Sequence, residues 1–180
     1  MKRLSTKEYI AITFEELLKE NSFESISVQD IAQACNISRT TFYRHFEDKY
    51  SLTNWIYLQN KNAFIEQNNA VTSWRELSLA IYSFVYNKKD FFRKALDYNG
   101  QNSLCEFIYL SSYSFFTNLL TEILQVDTLP DDLDYSVRLY CGGANHTFKE
   151  WLMNGAKETP ELMTKYAFDN MPPLMQKYIK

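Results

Sequence analysis

Residues 26–52, ISVQDIAQACNISRTTFYRHFEDKYSL, contain two short amphipathic segments separated by a turn. Ser27 and Ser38 stand where helix N-caps are expected, which predicts helices over residues 28–35 and 39–46. The connection CNIS has the length of the turn in a helix-turn-helix unit. Because both helices are too short to be stable alone, tertiary packing must hold them in place.

The second of these helices has one apolar and one polar face. Phe42 and Phe46, four residues apart, predict a face that packs in a core. Arg39 and Thr40 then point outward from the first turn, where a helix in a major groove meets base edges. Arg39 can bond guanine in bidentate fashion, and Thr40 can contact a thymine methyl group or a base acceptor. The residues that can reach phosphate oxygens are Thr41, Tyr43, Arg44, His45 and Lys49.

The remainder of the chain is also expected to be helical. A capping box of Ser5 and Glu8 begins a helix that runs to about residue 20, and Asp48 caps a long helix over 49–67. With only four glycines and four prolines in 180 residues and no strand pattern, the sequence predicts an all-α protein of about nine helices. The remaining helices are expected at 72–88, 89–98, 103–126, 131–154 and 160–178, the last capped by Thr159.

Composition and motifs argue against several classes of protein. Apolar residues make up 46% and charged residues 23%, as in ordinary globular proteins, and no apolar run could span a bilayer, so we expect a cytoplasmic protein. The three cysteines form no CxxC pattern and are expected to be buried reduced thiols, without a disulfide or a metal site. Only two histidines occur, with no glycine-rich phosphate loop and no nucleophile elbow, so we expect neither a cofactor nor catalytic residues.

The segment 26–52 resembles the DNA-binding signature of the TetR family of bacterial transcription regulators. Asn36 stands where the family commonly has glycine, but asparagine tolerates the left-handed conformation that a turn can require. The resemblance implies an N-terminal helix-turn-helix DNA-binding domain over residues 1–50 and a helical effector-binding and dimerisation domain over residues 51–180. The positions that carry it are Ile26, Ser27, Ile31, Ala32, Ile37, Ser38, Thr41, Phe42, Tyr43, His45, Phe46, Lys49 and Leu52.

The resemblance also implies roles for individual side chains. Arg39 and Thr40 are the favoured base readers, followed by Gln29 in the preceding helix and by Tyr43. Ser27 and Ser38 are caps whose hydroxyls can also reach the DNA backbone. The favoured phosphate contacts are Thr41, Arg44, His45 and Lys49.

A homodimer is expected from geometry as well as from the resemblance. One such helix reads only a few base pairs, so two copies would bind a palindromic operator in double-stranded DNA. The expected interface is residues 131–178, where Gly142 and Gly143 would cost stability in mid-helix unless close helix approach uses them. These glycines are expected to lie either in a dimer contact or in the wall of a pocket.

The central region, residues 55–126, is rich in tyrosine and phenylalanine. Core packing explains most of these side chains, but an effector pocket with polar groups from Tyr82, Tyr109, Tyr113 or His146 is also expected.

The segment WLMNGAKETPELMTKY, residues 151–166, resembles the C-terminal part of the dihydroxyacetone-kinase regulators. Some members of that subgroup are activators that work through a protein coactivator. We expect a repressor released by a small molecule; the alternatives are such an activator, or an interaction module that has lost DNA reading.

Charge distribution is the feature least typical of a DNA-binding domain. Residues 1–50 contain seven basic and eight acidic side chains, a net charge of −1. We therefore expect the acids at positions 15, 16, 20 and 24 to face away from DNA, leaving a small basic face and a shallow salt dependence of binding. The basic side chains of this face are Arg39, Arg44 and Lys49, with Lys2 and Arg3 as a possible arm.

Overall fold

The structure is a computed structural model that describes the backbone of residues 4–67 and 73–179 and the side chains of residues 4–59 and 73–179. Ten helices and no strand occur in this part of the chain, which confirms the all-α prediction. None of these helices has both the length and the apolar character needed to cross a membrane. They are α1 (Thr6–Glu20), α2 (Val28–Ala34), α3 (Arg39–Tyr43), α4 (Lys49–Gln67), α5 (Trp74–Asn87), α6 (Lys89–Asp97), α7 (Leu104–Leu124), α8 (Asp131–Met153), α9 (Pro160–Asp169) and α10 (Pro173–Gln176).

Side-chain caps fix where the first three helices begin. The Ser5 hydroxyl accepts the Glu8 N–H at 3.2 Å, and the Glu8 carboxylate accepts the Ser5 N–H at 2.7 Å. Ser27 and Asp30 form a second capping box at the start of α2, and the Ser38 hydroxyl caps α3. These contacts satisfy N–H groups that have no partner within the helix, and they confirm the predicted helix starts.

The turn between α2 and α3 requires a left-handed backbone at Asn36, whose φ is 52°. The Ile37 N–H donates to the Ala32 carbonyl and the Asn36 N–H to the Gln33 carbonyl, each at 3.0 Å. This is the Schellman arrangement, in which the residue after the C-cap is left-handed. The expectation that Asn36 can replace a turn glycine without changing the fold is therefore confirmed.

α3 is shorter than the helix predicted over residues 39–46, so the predicted C-terminal end is wrong. The N–H groups of His45 and Phe46 both donate to the Phe42 carbonyl, so the chain tightens and leaves the helix after Tyr43. Phe42 and Phe46 are nevertheless both in the core, at 0% and 5% exposure, as their spacing predicted.

A continuous hydrophobic core joins the first three helices to the later ones. It contains Phe14, Ile31 and Phe42 from the N-terminal helices together with Phe92 of α6 and Trp151 of α8. α1 carries this connection, since it packs against α2 on one side and against α4 and α6 on the other. A second buried cluster is formed by Phe116, Leu120, Leu133, Val137, Tyr140, Cys141, Met171, Met175 and Ile179.

The single helix predicted over residues 160–178 is wrong. α9 ends at Asp169, and a separate short helix, α10, begins at Pro173. Pro172 and Pro173 explain the break, because proline lacks an N–H and disfavours helical conformation in the residue before it. α9 packs chiefly against α5, whereas α10 packs against α8. The other predicted boundaries agree within two residues, although residue 72 lies outside the described part.

The left-handed turn gives the first testable prediction. Asn36→Val should lower the free energy of unfolding by about 1–2 kcal/mol, because a β-branched residue is strained at positive φ. Asn36→Gly should leave stability nearly unchanged, since glycine adopts this conformation without strain. Urea unfolding at one fixed protein concentration measures both. Both variants lose the amide side chain, so an equal effect would contradict a backbone cause.

Candidate nucleic-acid interface

α3 presents a polar face to solvent while its opposite face is buried. Arg39 and Thr40 are exposed in its first turn, and Tyr43 is 48% exposed. Phe42, between them in sequence, is fully buried. Because a five-residue helix has little stability of its own, this burial determines which side chains point outward.

Arg39 lies along α3 toward Tyr43. Its Nη2 atom is 3.5 Å from the Tyr43 hydroxyl oxygen, and its guanidinium carbon is 5.9 Å from the centre of the Tyr43 ring. A separation of 3.5 Å is long for a hydrogen bond, so exchanging this contact for a guanine edge would cost little. Tyr43 thus keeps the arginine near the exposed first turn.

Two hydroxyls that were expected to reach phosphate are already used as helix caps. The Ser38 hydroxyl accepts the Thr41 N–H at 3.1 Å and lies 3.0 Å from the Thr41 hydroxyl. The Ser27 hydroxyl donates to the Asp30 carboxylate at 2.6 Å and accepts the Asp30 N–H at 3.2 Å. These hydrogen bonds from the Ser27 side chain and backbone lower the pKa of Asp30, so a negative charge persists at the start of α2. Each serine retains only part of its hydrogen-bonding capacity for DNA.

The other candidates are on the same helix-turn-helix unit. Gln29, the second residue of α2, is exposed, as is Arg44, the C-cap residue of α3. His45 is partly buried in the turn that follows. The structure therefore leaves Gln29 and Arg44 open to solvent and His45 partly accessible.

Lys49 makes contacts within the protein that its predicted role at DNA phosphates did not include. Its ammonium donates to the carbonyl oxygens of Phe23, Glu24 and Ile26 at 2.7, 3.1 and 2.8 Å, so its three protons all have partners within the chain. Burial at this position lowers the lysine pKa, while the nearby Glu24 charge opposes that change. In the free protein Lys49 therefore fastens the loop between α1 and α2 to the start of α4, a role that the sequence did not predict.

A second lysine binds the other side of the same loop. Lys94 of α6 donates to the carbonyl oxygens of Leu18, Lys19 and Asn21 at 2.5, 2.8 and 3.2 Å. These carbonyls are at the C-terminal end of α1, where the helix leaves acceptors without internal partners and where positive charge is favourable. No local sequence pattern indicates this contact, because Lys94 is more than 70 residues from its partners.

Comparison with protein families decides the class of the protein. Residues 15–54 match the model of bacterial regulatory proteins of the tetR family, and residues 72–172 match a transcriptional regulator C-terminal region. The second match alone covers more than half of the chain. The chain belongs to the TetR family. It is a DNA-binding transcriptional regulator of this family and not an enzyme.

Individual relatives agree with this membership. The HTH-type dhaKLM operon transcriptional activator DhaS of Lactococcus lactis subsp. lactis (strain IL1403) is 30% identical over 93 residues, covering 52% of this chain and 50% of that protein. The match thus spans about half the length of this relative. It is consistent with the expected resemblance to the dihydroxyacetone-kinase regulators.

Solved structures show the same fold. The dihydroxyacetone kinase operon activator DhaS has a TM-score of 0.68 at 19% identity, covering 97% of this chain and 98% of the other. A TetR transcriptional regulator from Streptococcus agalactiae 2603V has a TM-score of 0.59 at 22% identity, covering 97% and 94%. At these identities the likeness concerns the fold.

Two acidic residues of α1 in this TetR-family chain are paired with lysines. The Glu15 carboxylate is 2.7 Å from the ammonium of Lys88, at the end of α5, and Glu16 pairs with Lys19 at 2.7 Å. Part of the negative charge of the N-terminal region is therefore neutralised by lysines that lie outside α3. Lys2 and Arg3, proposed as an arm, lie outside the described residues.

An internal cavity of about 60 Å³ lies between α4, α5, α7, α8 and α9. Of the four residues expected at an effector pocket, Tyr82 lines this cavity. The other three line neither the cavity nor the groove beside it. Tyr113 donates to the Asp134 carboxylate at 2.6 Å, with Tyr109 stacked beside it, and His146 is exposed on α8. Tyr109, Tyr113 and His146 thus lie outside these two sites, and a part for them in an effector pocket stays a prediction.

The contacts of Lys49 give the second prediction. Lys49→Met should lower the free energy of unfolding by about 2 kcal/mol, because three carbonyls lose a charged donor. The slope of log affinity against log salt concentration for DNA should stay the same, since this ammonium reaches no phosphate. Urea unfolding and fluorescence polarisation at several salt concentrations measure the two quantities. Unchanged stability with a shallower salt slope would instead restore the phosphate role.

Proposed function

We propose that this TetR-family regulator acts in the cytoplasm as a homodimer on a palindromic operator, with α3 of each subunit in the major groove. The observation that carries the proposal is the exposure of Arg39 and Thr40 on a helix that is oriented by burial of Phe42. In this proposal residues 1–50 read DNA, and residues 51–180 bind the effector and form the dimer.

Base reading is assigned to the first turn of α3. Arg39 has the planar fork of donors that matches the O6 and N7 atoms of guanine, and Thr40 lies beside it to contact a thymine methyl group. Tyr43 keeps Arg39 within reach and can itself meet a base or the groove wall. Gln29, exposed on α2, is a secondary reader.

Phosphate binding is assigned to the residues that flank this turn. Arg44 is exposed at the end of α3, and Thr41 and His45 are partly exposed. Ser27 and Ser38 can also contact phosphate with the hydrogen-bonding capacity of their hydroxyls that capping does not use. With Lys49 occupied by carbonyls, few cations remain, which supports the expectation of a shallow salt dependence per subunit.

Substitutions at Arg39 and Arg44 separate the two roles. On DNA from upstream of the gene, Arg39→Ala should weaken binding about 10- to 100-fold, while binding to unrelated DNA changes little. Arg44→Ala should weaken both about equally and reduce the salt slope by about 1. Fluorescence polarisation with both DNAs measures the effects.

The control for these substitutions is Arg93→Ala, which removes an exposed arginine of α6 and should change neither affinity. A loss of specific binding in the Arg93 variant, or none in the Arg39 variant, would contradict the assignment.

Dimerisation is assigned to the outer face of α8. Tyr135 and Leu139 are 65% and 62% exposed and lie one turn apart on this face. Gly142 and Gly143 follow, and a Cβ atom added to either would meet no atom within 4 Å. Two glycines in mid-helix are destabilising, and nothing within the described subunit requires them. Close approach of a second copy of α8 would use both the apolar side chains and the glycines.

Leu139→Glu should therefore convert the dimer to a monomer, because it buries a charge in the expected interface. Sedimentation equilibrium measures the mass directly. Leu110→Glu is the matched control, since Leu110 on α7 is 52% exposed but lies outside residues 131–178. A Leu139→Glu protein that remains dimeric, or a Leu110→Glu protein that dissociates, would place the interface elsewhere.

The direction of regulation has two candidates. The internal cavity supports a repressor that a small molecule releases from DNA. The similarity to an operon transcriptional activator, DhaS, supports activation instead, and the protein coactivator remains part of that alternative as an expectation. Deletion of the gene should raise transcription of the neighbouring genes in the first case and lower it in the second. Family membership leaves the interaction-module interpretation without support.

A further inference from the structure

The internal cavity has an unusual combination of apolar walls and unused polar groups. No Asp, Glu, Lys, Arg or His is among its described lining residues, so a charged ligand would find no counter-charge there. Its walls are mostly aromatic and small side chains, among them Tyr57, Tyr82, Tyr140, Ala144 and Phe148. The lining therefore favours a neutral occupant.

Asn145 supplies an acceptor without a partner. Its amide nitrogen donates to the Cys105 carbonyl at 3.0 Å and contacts the Cys105 sulfur at 3.3 Å. Because a carbonyl accepts only from the NH₂ group, this contact fixes which end of the amide is oxygen. The remaining Oδ1 atom is buried and has no hydrogen-bond partner, and the residue lines the cavity.

Trp74 supplies a donor on another wall of the same cavity. Its indole Nε1 is buried and makes no hydrogen bond of normal geometry. The Tyr140 hydroxyl nearby donates to the Ala167 carbonyl at 2.8 Å. Burial raises the pKa of Tyr140 to about 12, although the approach of the indole lowers it in part. Tyr140 is thus a neutral wall of the cavity. The Trp74 indole approaches its hydroxyl, but the contact falls short of hydrogen-bond geometry, so an occupant with a better-placed acceptor would compete for the N–H.

Buried polar groups in folded proteins are nearly always hydrogen-bonded, so one acceptor and one donor left unused around one cavity indicate a missing partner. We propose that the cavity binds a small uncharged molecule that donates a hydrogen bond to Asn145 Oδ1 and accepts one from Trp74 Nε1, as a hydroxyl or amide compound does. The inference rests on the proposed function as a ligand-responsive regulator and specifies the chemistry of its effector.

The size of the cavity and its surroundings agree with a compact molecule. A volume of about 60 Å³ limits the occupant to a small molecule of a few non-hydrogen atoms. The cavity shares Tyr82, Tyr140, Ala144 and Ala167 with a groove of about 520 Å³ between α8 and α9. Tyr57 connects the site to α4, the helix that begins at Lys49.

Acetamide and acetate provide a matched pair of probes, because they have nearly the same shape and differ in charge. The signal is the indole N–H resonance of Trp74 in ¹H–¹⁵N spectra of the full chain, assigned with Trp74→Phe. Acetamide should shift this resonance in a saturable way, and acetate at the same concentration should not. The Trp151 indole, which donates to the Glu158 carbonyl at 3.1 Å, is the internal control and should not move.

Asn145→Leu should weaken acetamide binding about tenfold, because one hydrogen bond to the ligand is lost. An unchanged Trp151 resonance shows that this variant is folded. If it does not fold, Ala144→Val tests the same site by filling the cavity and should also weaken binding.

Three results would each overturn the proposal. The first is an equal shift with acetate, and the second is acetamide binding that survives both substitutions. The third is no saturable shift with acetamide, which would mean that water alone occupies the cavity. DNA binding measured in parallel by polarisation separates the two claims. Acetamide binding by a protein that does not bind DNA would refute only the proposed function, and DNA binding without acetamide binding would refute only this inference.

Discussion

The structure depends first on the burial of Phe42 and Phe46. α3 has only five residues and could not persist as a free helix, so its existence and its orientation follow from packing of these rings. The same packing requires the chain to reverse within a few residues before α3, which the left-handed Asn36 allows. Arg39 and Thr40 are directed outward as a consequence. The polar face that we propose to meet DNA is thus defined by the apolar face behind it.

Two lysines connect that unit to the remainder of the protein. Lys49 of α4 and Lys94 of α6 each donate to three carbonyls in and beside the loop between α1 and α2. A shift of α4 or α6 would therefore be transmitted to the loop that leads into α2. Since Tyr57 of α4 lines the internal cavity, an occupant of that cavity is in contact with one of these two helices. This arrangement would connect the proposed effector site with the position of α3.

Local features of the fold could be predicted from the sequence, because caps, turn residues and helical spacing act over a few residues. Ser5, Ser27 and Ser38 begin helices as expected, and Phe42 is buried as expected. The role of Lys49 could not be predicted, since its carbonyl partners lie 23 to 26 residues away and carry no side-chain signal. The lining of the cavity could not be predicted for the same reason, because its residues come from helices that are far apart in the sequence. The break at Pro172–Pro173, in contrast, follows from the two prolines themselves, which a single helix over 160–178 does not take into account.

The central claim is that the first turn of α3 reads guanine in a major groove. Methylation interference on the upstream DNA tests it, because dimethyl sulfate modifies guanine N7 in the major groove and adenine N3 in the minor groove. The account predicts interference at guanine N7 at two symmetry-related positions about one helical turn apart or a multiple of it. It also predicts that this interference disappears when Arg39 is replaced by alanine. Interference only at adenine N3, or a guanine pattern unaffected by the replacement, would contradict the account.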